Sequence, residues 1–335
     1  RREAYDKNRA SMEEYCLPKN DDLNRIGQYR IPNQLIDILI CEKGSIMDAD
    51  CFLLKEVFSP LADQIREIIQ IHRDYTEPIE AFAVLRHLPS LTAVAEEFRI
   101  PVVHLERGTF REKNYIKTAF WDLENLQGGQ TIEKRYSQFC DVCHEGHMPI
   151  FTAKELLSIF LNKDQLSILK RVGKAPIKKI GVALGYASDP LCLYRTFFND
   201  AELLIQARKK YGTENMLVRK HPGDPFGAQY PMFSSCMENS NQTAIDFILN
   251  CEEIASILSN VSMEAMYYGK KTYTFLPCPS YYASAHSFQE EPCCASNEYL
   301  SFYALCYLIP HEYMTDYQYY LWRFSKPSEK EIYFR

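Results

Sequence analysis

Two carboxylates each follow an apolar run of the chain, in positions where a strand would end. Glu106 comes directly after residues 101–105, and Gly108 behind it would allow a tight turn with positive φ. That turn would leave Glu106 at the lip of a sheet, with a solvated charge beside a turn as the alternative. Asp189 follows residues 180–185, where a carboxylate can act as a nucleophile or a base. Because a proline comes next, Asp189 can also be a cap or turn residue.

Cationic side chains follow another apolar run, residues 216–218. Arg219, Lys220 and His221 stand in a row there, and Pro222 forces an extended backbone on His221. Such a group at the carboxyl end of a strand suits a phosphate. The alternative is a solvated turn that carries its charges without function.

A fourth group of polar residues lies where an apolar run passes into a helical pattern, at 259–265. Backbone N–H groups and the helix dipole at such a start form an anion site. Ser259, Asn260 or Ser262 can cap the helix, and capping alone is the alternative reading. Glu264 can accept hydrogen bonds from ribose hydroxyls or simply favour the helix N-terminus.

The strands and helices that position these groups can be predicted from the sequence. Their alternation predicts an α/β protein with two open parallel sheets. The predicted strands are 35–41, 81–85, 101–105, 180–185, 216–218, 254–258 and 271–276. The predicted helices are 61–71, 89–98, 152–171, 200–211, 262–268 and 313–324. Residues 172–176 look like a linker between the two halves. Ligands of such sheets bind outside the carboxyl ends of the strands, where the four groups stand.

Composition excludes several functional classes. The chain has 335 residues and 46% hydrophobic residues, which suits about two folded domains rather than a disordered chain. With 38 basic and 44 acidic residues its net charge is −6, which argues against a nucleic-acid partner. No apolar run approaches the ~20 residues of a membrane span. No Gly-x-Gly-x-x-Gly and no P-loop occurs, so dinucleotide dehydrogenases and P-loop NTPases lose support.

The twelve cysteines favour a cytoplasmic protein with reduced thiols. The chain opens Arg-Arg-Glu-Ala without a signal peptide. Cys140, Cys143 and His144 match the c-type haem attachment pattern, which would require export. Together with His147 they can also bind zinc, although the second ligand pair that makes such a prediction strong is missing. The default expectation is a loop with buried thiols and no metal.

Taken together, the four groups resemble the bacterial capsule-polysaccharide and lipopolysaccharide Kdo transferases, which are retaining β-Kdo glycosyltransferases (Kdo is 3-deoxy-manno-octulosonic acid). The resemblance rests on motifs spread over residues 36–324. These motifs are Glu106-x-Gly108-x-x-Arg111, Gly185-x-x-x-Asp189, Lys220-His221-Pro222 and Ser259-x-x-Ser262-x-Glu264-Ala265. The His-Pro and serine motifs are also similar to those of bacterial sialyltransferases of the GT-B fold. Both groups use CMP-activated sugars.

This resemblance implies a GT-B architecture, with two Rossmann-like domains facing a central cleft. The expected bounds are 1–172 for an acceptor-side domain and 177–311 for a donor domain. Residues 312–335 would form a C-terminal helix that crosses back to the first domain. The resemblance also implies that no metal or other cofactor is needed, and the sequence shows no Asp-x-Asp.

By the same resemblance, the second domain would hold CMP. His221 and Lys220 would meet its phosphate and Glu264 its ribose. Ser259, Asn260 and Ser262 would line the helix N-terminus.

The remaining implied roles concern the sugar and the acceptor. Asp189 would attack the anomeric carbon to form a covalent glycosyl-enzyme, and Glu106 would handle the acceptor proton. Arg107 and Arg111 are candidates for the sugar carboxylate, since a guanidinium binds it bidentately. The chain departs from the family pattern at Arg107, where relatives often carry an acidic residue.

The predicted function is therefore transfer of Kdo from CMP-Kdo to a bacterial surface glycan in lipopolysaccharide or capsule biosynthesis. The acceptor would be an O-antigen, a capsule chain or a lipid-linked glycan. An inverting CMP-sialic acid transferase and a non-catalytic sugar-nucleotide or glycan-binding module are the alternatives. The aromatic tail around Tyr317 and Trp322 is either a packing stripe or a contact with the inner face of the cytoplasmic membrane. Further glycosyltransferase domains of a parent protein are an additional expected partner.

Overall fold

A computed structural model describes most of the chain. The described residues are 27, 29–85, 87–111, 113–124, 129–145, 148–185, 198–222, 230–238 and 242–335.

Among the described residues, three helices precede the first strand: α1 (Asn33–Lys43), α2 (Ile46–Lys55) and α3 (Ser59–Tyr75). The first sheet contains β1 (Phe82–Val84), β2 (Val102–Arg107) and β3 (Thr118–Asp122), with α4 (Pro89–Phe98) joining β1 to β2. After β3 come α5 (Gly129–His144), α6 (Ala153–Phe160) and a 3₁₀ segment (Lys163–Lys170).

The second sheet contains β4 (Lys178–Ala183), β5 (Met216–Arg219), β6 (Cys251–Ser256) and β7 (Lys271–Thr274). Its helices are α7 (Asp200–Tyr211), α8 (Ala244–Asn250) and α9 (Asn260–Tyr267). Helix α10 (Asn297–Phe302) continues into a π-helical turn (Tyr303–Tyr307). Strand β8 (Leu308–Pro310), α11 (Tyr317–Phe324) and α12 (Glu329–Tyr333) end the chain. Short 3₁₀ turns occupy Thr213–Asn215, Pro231–Cys236, Pro279–Ala283 and His311–Thr315.

The two sheets confirm the predicted α/β class, but only the second is wholly parallel. Its order is β5-β4-β6-β7, and each neighbouring pair runs parallel. The first sheet has the order β1-β2-β3-β8, in which only β1 and β2 are parallel. Strands β3 and β8 are antiparallel to their neighbours, so the expectation of a parallel first sheet was wrong.

The predicted strand at 35–41 is helix α1. Its apolar residues Leu35, Ile36, Leu39 and Ile40 repeat at helical spacing, and Leu39 is fully buried while Ile38 is exposed. Gly44 ends the helix in the left-handed region, with φ 85°. A short apolar run alone cannot distinguish a buried strand from a buried helix. The length of the segment and its glycine cap identify it as a helix.

One apolar core connects the two sheets. The ring of Phe110 from the first half stacks on Phe160 at 4.4 Å and lies edge-on to Tyr267 of α9 at 5.0 Å. The same buried cluster contains Phe120 of β3 and Ile254 of β6. The walls of the space between the sheets are therefore fixed by packing that both halves share.

The C-terminal segment lies against the first sheet. Strand β8 pairs with β3, with Ile309 opposite Ala119. Arg323 of α11 stacks over the ring of Trp121 at 4.4 Å, and Tyr319 packs on the same ring. The aromatic tail thus forms a packing stripe, and the domain bounds and a membrane contact stay predictions. Within the described ranges, no helix is long and apolar enough to cross a membrane.

Candidate functional site

A cavity lies between the two sheets, at the carboxyl ends of β4 and β5. It encloses about 560 Å³ when the open space at its mouth is included. Both halves of the chain contribute walls. The lining residues are Thr109, Arg111, Ala183, Leu184, Arg219, Lys220, His221, Pro222, Ala244, Ser259, Asn260, Val261 and Glu264.

One wall is the cationic end of β5. Lys220 is exposed and His221 half-buried, and both line the cavity. Arg219 is held from behind, because its Nη1 donates to Glu238 Oε2 at 2.5 Å and to the Gln242 carbonyl at 3.1 Å. Burial raises the pKa of Glu238 although the Arg219 guanidinium opposes that shift. Since Glu238 offsets the charge of Arg219, Lys220 and His221 are the groups on this wall best placed to meet an anion.

The second wall is the start of helix α9. Ser259 caps the helix, and its Oγ accepts the Val261 backbone N–H at 3.2 Å. Asn260 and Val261 line the cavity beside it. Ser262 lies deeper and is fully buried, with its Oγ 2.7 Å from Ser256 Oγ and its backbone N–H donated to the Ser259 carbonyl. Ser262 therefore braces the turn from below and does not line the cavity.

The third wall comes from the first sheet, in the segment after β2. Thr109 Oγ1 lies 2.7 Å from the Tyr303 hydroxyl and donates to Asn260 Oδ1 at 3.4 Å. Through these contacts, the segment after β2 is linked directly to the start of α9. Arg111 follows on the same segment and lines the cavity.

The other two predicted residues of this segment lie outside the lining. Glu106 is half-buried on β2 opposite Phe120. Burial raises the pKa of Tyr303, and the nearby Glu106 carboxylate adds to that shift while Arg111 opposes it. Arg107 is exposed at the end of β2, on the side of His311, whose pKa is lowered by burial and by the charges of Lys117 and Arg107. The structure therefore brings Glu106 and Arg111 to the surroundings of Tyr303 and leaves Arg107 apart.

Gly108 is required because β3 approaches it closely, and not because of the expected positive φ. Its φ is not in the left-handed region, so the expected turn with positive φ was wrong. A Cβ at this position would lie 2.4 Å from Thr118 Oγ1 and 2.9 Å from the Thr118 carbonyl carbon. Its N–H donates to the Thr118 carbonyl at 2.9 Å. Close approach of β3 therefore demands glycine here.

Glu264 reaches the cavity from α9 and is tied to the first half of the chain. The Tyr115 hydroxyl donates to Glu264 Oε1 at 2.5 Å and lies 2.7 Å from the Tyr268 hydroxyl. Glu264 is only 4% exposed, and Tyr115 only 2%. Sequence reasoning found Glu264 but missed Tyr115, because a contact across 149 positions leaves no local pattern.

Asp189, the predicted nucleophile, lies outside the described residues, as do Tyr186 and Pro190 beside it. The described chain reaches Gly185, whose N–H donates to the Asp200 carboxylate at 3.1 Å. Leu184 just before it lines the cavity. The described chain before this segment therefore reaches the cavity wall at Leu184.

The cysteine and histidine cluster lies away from this site, on a helix rather than the expected loop. Cys140, Cys143 and His144 belong to the last turn of α5, while His147 lies outside the described residues. Burial raises the pKa of the Cys143 thiol, and Cys140 adds to that shift. Within the part of the chain that the structure describes, no three His, Cys, Asp or Glu residues are grouped to hold a metal ion.

Comparison with known proteins places the N-terminal part of this chain. Residues 1–131 match the Glycosyltransferase 99 family N-terminal domain. This match supports a glycosyltransferase. It agrees with the resemblance to glycosyltransferases that the motifs indicated, and it includes the segment from Glu106 to Arg111. The match ends before the cationic wall and helix α9. A search of curated proteins found no match.

Two similar solved structures come from Thermosulfurimonas dismutans. One is titled KpsC, beta Kdo 2,7 transferase, with 18% identity over 64% of this chain and 74% of that chain, and a TM-score of 0.40. The other is titled KpsC, beta Kdo 2,4 transferase, with 15% identity over 68% of this chain and 79% of that chain, and a TM-score of 0.44.

Proposed function

We propose that this chain transfers Kdo from CMP-Kdo to a bacterial surface glycan, with retention of configuration. One observation carries the proposal: a single cavity brings together Lys220 and His221, the N-terminus of α9, and Arg111 from the opposite sheet. A nucleotide that bears an acidic sugar carries two negative groups, a phosphate and a carboxylate, in one molecule. The cationic groups of this cavity could bind both. The match of residues 1–131 to a glycosyltransferase domain supports the same reaction class.

The phosphate of CMP is the group best suited to the donor half of the cavity. Lys220 and His221 can donate to it from the end of β5, while the first turn of α9 offers its dipole and backbone N–H groups. When the bond from phosphate to sugar breaks, the phosphate gains charge. Donors already in place stabilise that developing charge without reorganisation.

The acid groups divide the chemistry between them in this proposal. A carboxylate oxygen of Asp189 attacks the anomeric carbon of Kdo, and CMP leaves with the electrons of the broken bond. The acceptor hydroxyl then attacks the same carbon, releasing Asp189, while Glu106 takes the hydroxyl proton. Arg111 holds the sugar carboxylate as a bidentate partner across the cavity. The proposal involves no metal ion or other cofactor.

The acceptor in this proposal is an O-antigen, a capsule chain or a lipid-linked glycan, and the reaction takes place in the cytoplasm at the inner face of the membrane. Such an acceptor carries many hydroxyl groups, and in this proposal it approaches the cavity past the end of β2.

Donor identity is tested by measuring CMP release from CMP-Kdo and from CMP-sialic acid, with EDTA present in a parallel series. We expect release from CMP-Kdo with and without EDTA. Release from CMP-sialic acid alone would establish the sialyltransferase alternative, and release from neither donor would favour a binding module. Lys220→Ala should lower turnover at least tenfold through the lost charge-assisted contact. Lys209→Ala, an exposed lysine of α7 away from the cavity, is the matched control and should leave turnover unchanged.

The nucleophile is tested separately by intact mass after exposure of the enzyme to the donor. Asp189→Asn should lose turnover, and a glycosyl adduct of the wild-type protein should be absent from this variant. Turnover of Asp189→Asn at the wild-type rate would refute the assignment and leave the inverting mechanism, in which Glu106 acts as base.

A further inference from the structure

We propose that Tyr115 is a positioning residue that holds the Glu264 carboxylate in place as the acceptor for ribose hydroxyls of the donor nucleotide. The proposal rests on the proposed function, since it requires a nucleotide in the cavity. Tyr115 belongs to the acceptor-side half of the chain, whereas Glu264 belongs to helix α9. A residue of one half would therefore set the nucleotide selectivity of the other.

The backbone of Tyr115 is fixed independently of Glu264. Tyr115 forms an isolated antiparallel bridge with Leu161. Next to it, the Ile116 N–H donates to the Phe160 carbonyl at 2.7 Å, and the Asn162 side chain donates to the Tyr115 carbonyl at 3.4 Å. Its ring packs on Phe110, with 5.2 Å between centroids. The hydroxyl thus reaches α9 from a rigid support rather than following it.

The direction of the hydrogen bonds makes Glu264 an acceptor only. The hydroxyl of Tyr115 has one proton, which it donates to Glu264 Oε1, so it must accept the proton of Tyr268. Burial, with the charge of Glu264, raises the pKa of Tyr115 far above its ordinary value, and the hydroxyl remains a donor at every working pH. An ionised carboxylate stabilised in this way accepts hydrogen bonds and donates none. It therefore fits hydroxyl groups on a ligand and disfavours a second anion.

Loss of the Tyr115 hydroxyl would act on one part of the ligand. The buried Glu264 carboxylate would lose a strong donor, and Tyr115 would no longer hold it in this position. Contacts to phosphate by Lys220 and His221 would be unaffected. Affinity should then fall for a ribonucleotide and not for its deoxy analogue.

The decisive experiment measures binding of CMP, 2′-deoxy-CMP and 3′-deoxy-CMP to wild type, Tyr115→Phe and Tyr268→Phe by calorimetry. We expect wild type to prefer CMP over at least one deoxy analogue, and Tyr115→Phe to reduce that preference about tenfold. Tyr268→Phe, which leaves the contact of Tyr115 with Glu264 in place, should reduce it less. Tyr115→Phe with weaker binding of all three nucleotides and an unchanged preference would overturn the proposal, because that result marks a structural role alone.

A second measurement separates this inference from the proposed function. Tyr115→Phe, Glu264→Gln and the double variant are unfolded in urea without ligand. Positioning predicts that the shifts in the midpoint are strongly non-additive, since both variants remove the same contact. Additive shifts would refute positioning even if CMP binds. Absence of CMP binding by wild type, together with non-additive shifts, would refute the nucleotide site and with it the selectivity, while leaving the contact established.

Discussion

A buried histidine should make the stability of this fold depend on pH between about 4 and 6.5. His104 lies on β2 opposite Asp122, is 3% exposed, and its Nδ1 has no hydrogen-bond partner among the described residues. Its ring stacks on His87 at 6.2 Å between centroids. Burial lowers the pKa of His104 to about 4 from 6.5, and the neighbouring His87 contributes in the same direction.

The sign and size of the effect follow from that shift. Burial disfavours the protonated form of His104 in the folded chain, whereas the unfolded chain binds the proton below its ordinary pKa of 6.5. Stability is therefore complete above pH 6.5 and is lost as the pH falls toward 4. At about 1.4 kcal/mol per pH unit, the shift corresponds to about 3 kcal/mol across this range.

The assay is urea unfolding of wild type and His104→Leu at pH 7.5, 6.5, 5.5 and 4.5. Other groups, including the half-buried His311, change in both proteins and cancel in the difference. We expect the free-energy difference between the two proteins to move by about 3 kcal/mol in favour of the variant as the pH falls. His144→Leu, at an exposed position on α5, is the control and should run parallel to wild type. If the curves of wild type and His104→Leu also run parallel, His104 does not titrate as proposed.

Two further predictions concern packing that supports the site. Glu329→Gln should destabilise the fold by about 3–5 kcal/mol in urea unfolding, because it leaves the buried Arg135 guanidinium without its partner at 2.6 Å. Lys330→Gln, an exposed change on the same helix, should stay within about 0.5 kcal/mol, and equal losses in both would contradict this view of the pair. Gly108→Ala should lower the melting temperature and CMP affinity together, since its Cβ would meet Thr118 at 2.4 Å. A variant with wild-type melting and affinity would show that β3 can move aside.

Sequence patterns predicted an element correctly where residues at its two ends mark its boundaries. Helix α7 was predicted at its observed bounds, because Asn199 and Glu202 form a capping box and Gly212 ends the helix with φ 74°. The strands of the parallel sheet were found for a related reason. They are short apolar runs, and polar residues that line the cavity follow β5 and β6.

Local patterns failed where tertiary packing decides. Strand β3 is buried at all five positions, so it shows none of the alternation that marks a half-buried strand. The run at 35–41 was misassigned for a different reason, because its apolar spacing also fits a helix, which Gly44 ends with φ 85°. Cys140 and Cys143 were expected in a loop, whereas the structure places both on helix α5.

The residues of the candidate site likewise fall into those that were predicted from sequence and those that were missed. Lys220, His221, Ser259, Asn260, Glu264 and Arg111 were predicted from sequence and share one cavity. Thr109, Tyr115 and Tyr303 were missed, because they act through partners more than 140 positions away. No spacing rule reports such contacts, since they depend on how the two halves pack.

The apolar core that runs through both halves has a thermodynamic consequence for any molecule that enters the cavity. Halves joined by a large apolar contact do not swing apart freely, unlike domains with small polar interfaces. Because Phe110 is wedged between Phe160 and Tyr267, the wall that carries Arg111 stands in position before a ligand arrives. The entropy lost on association then falls mainly on the ligand and on the side chains that close around it, not on the body of the protein.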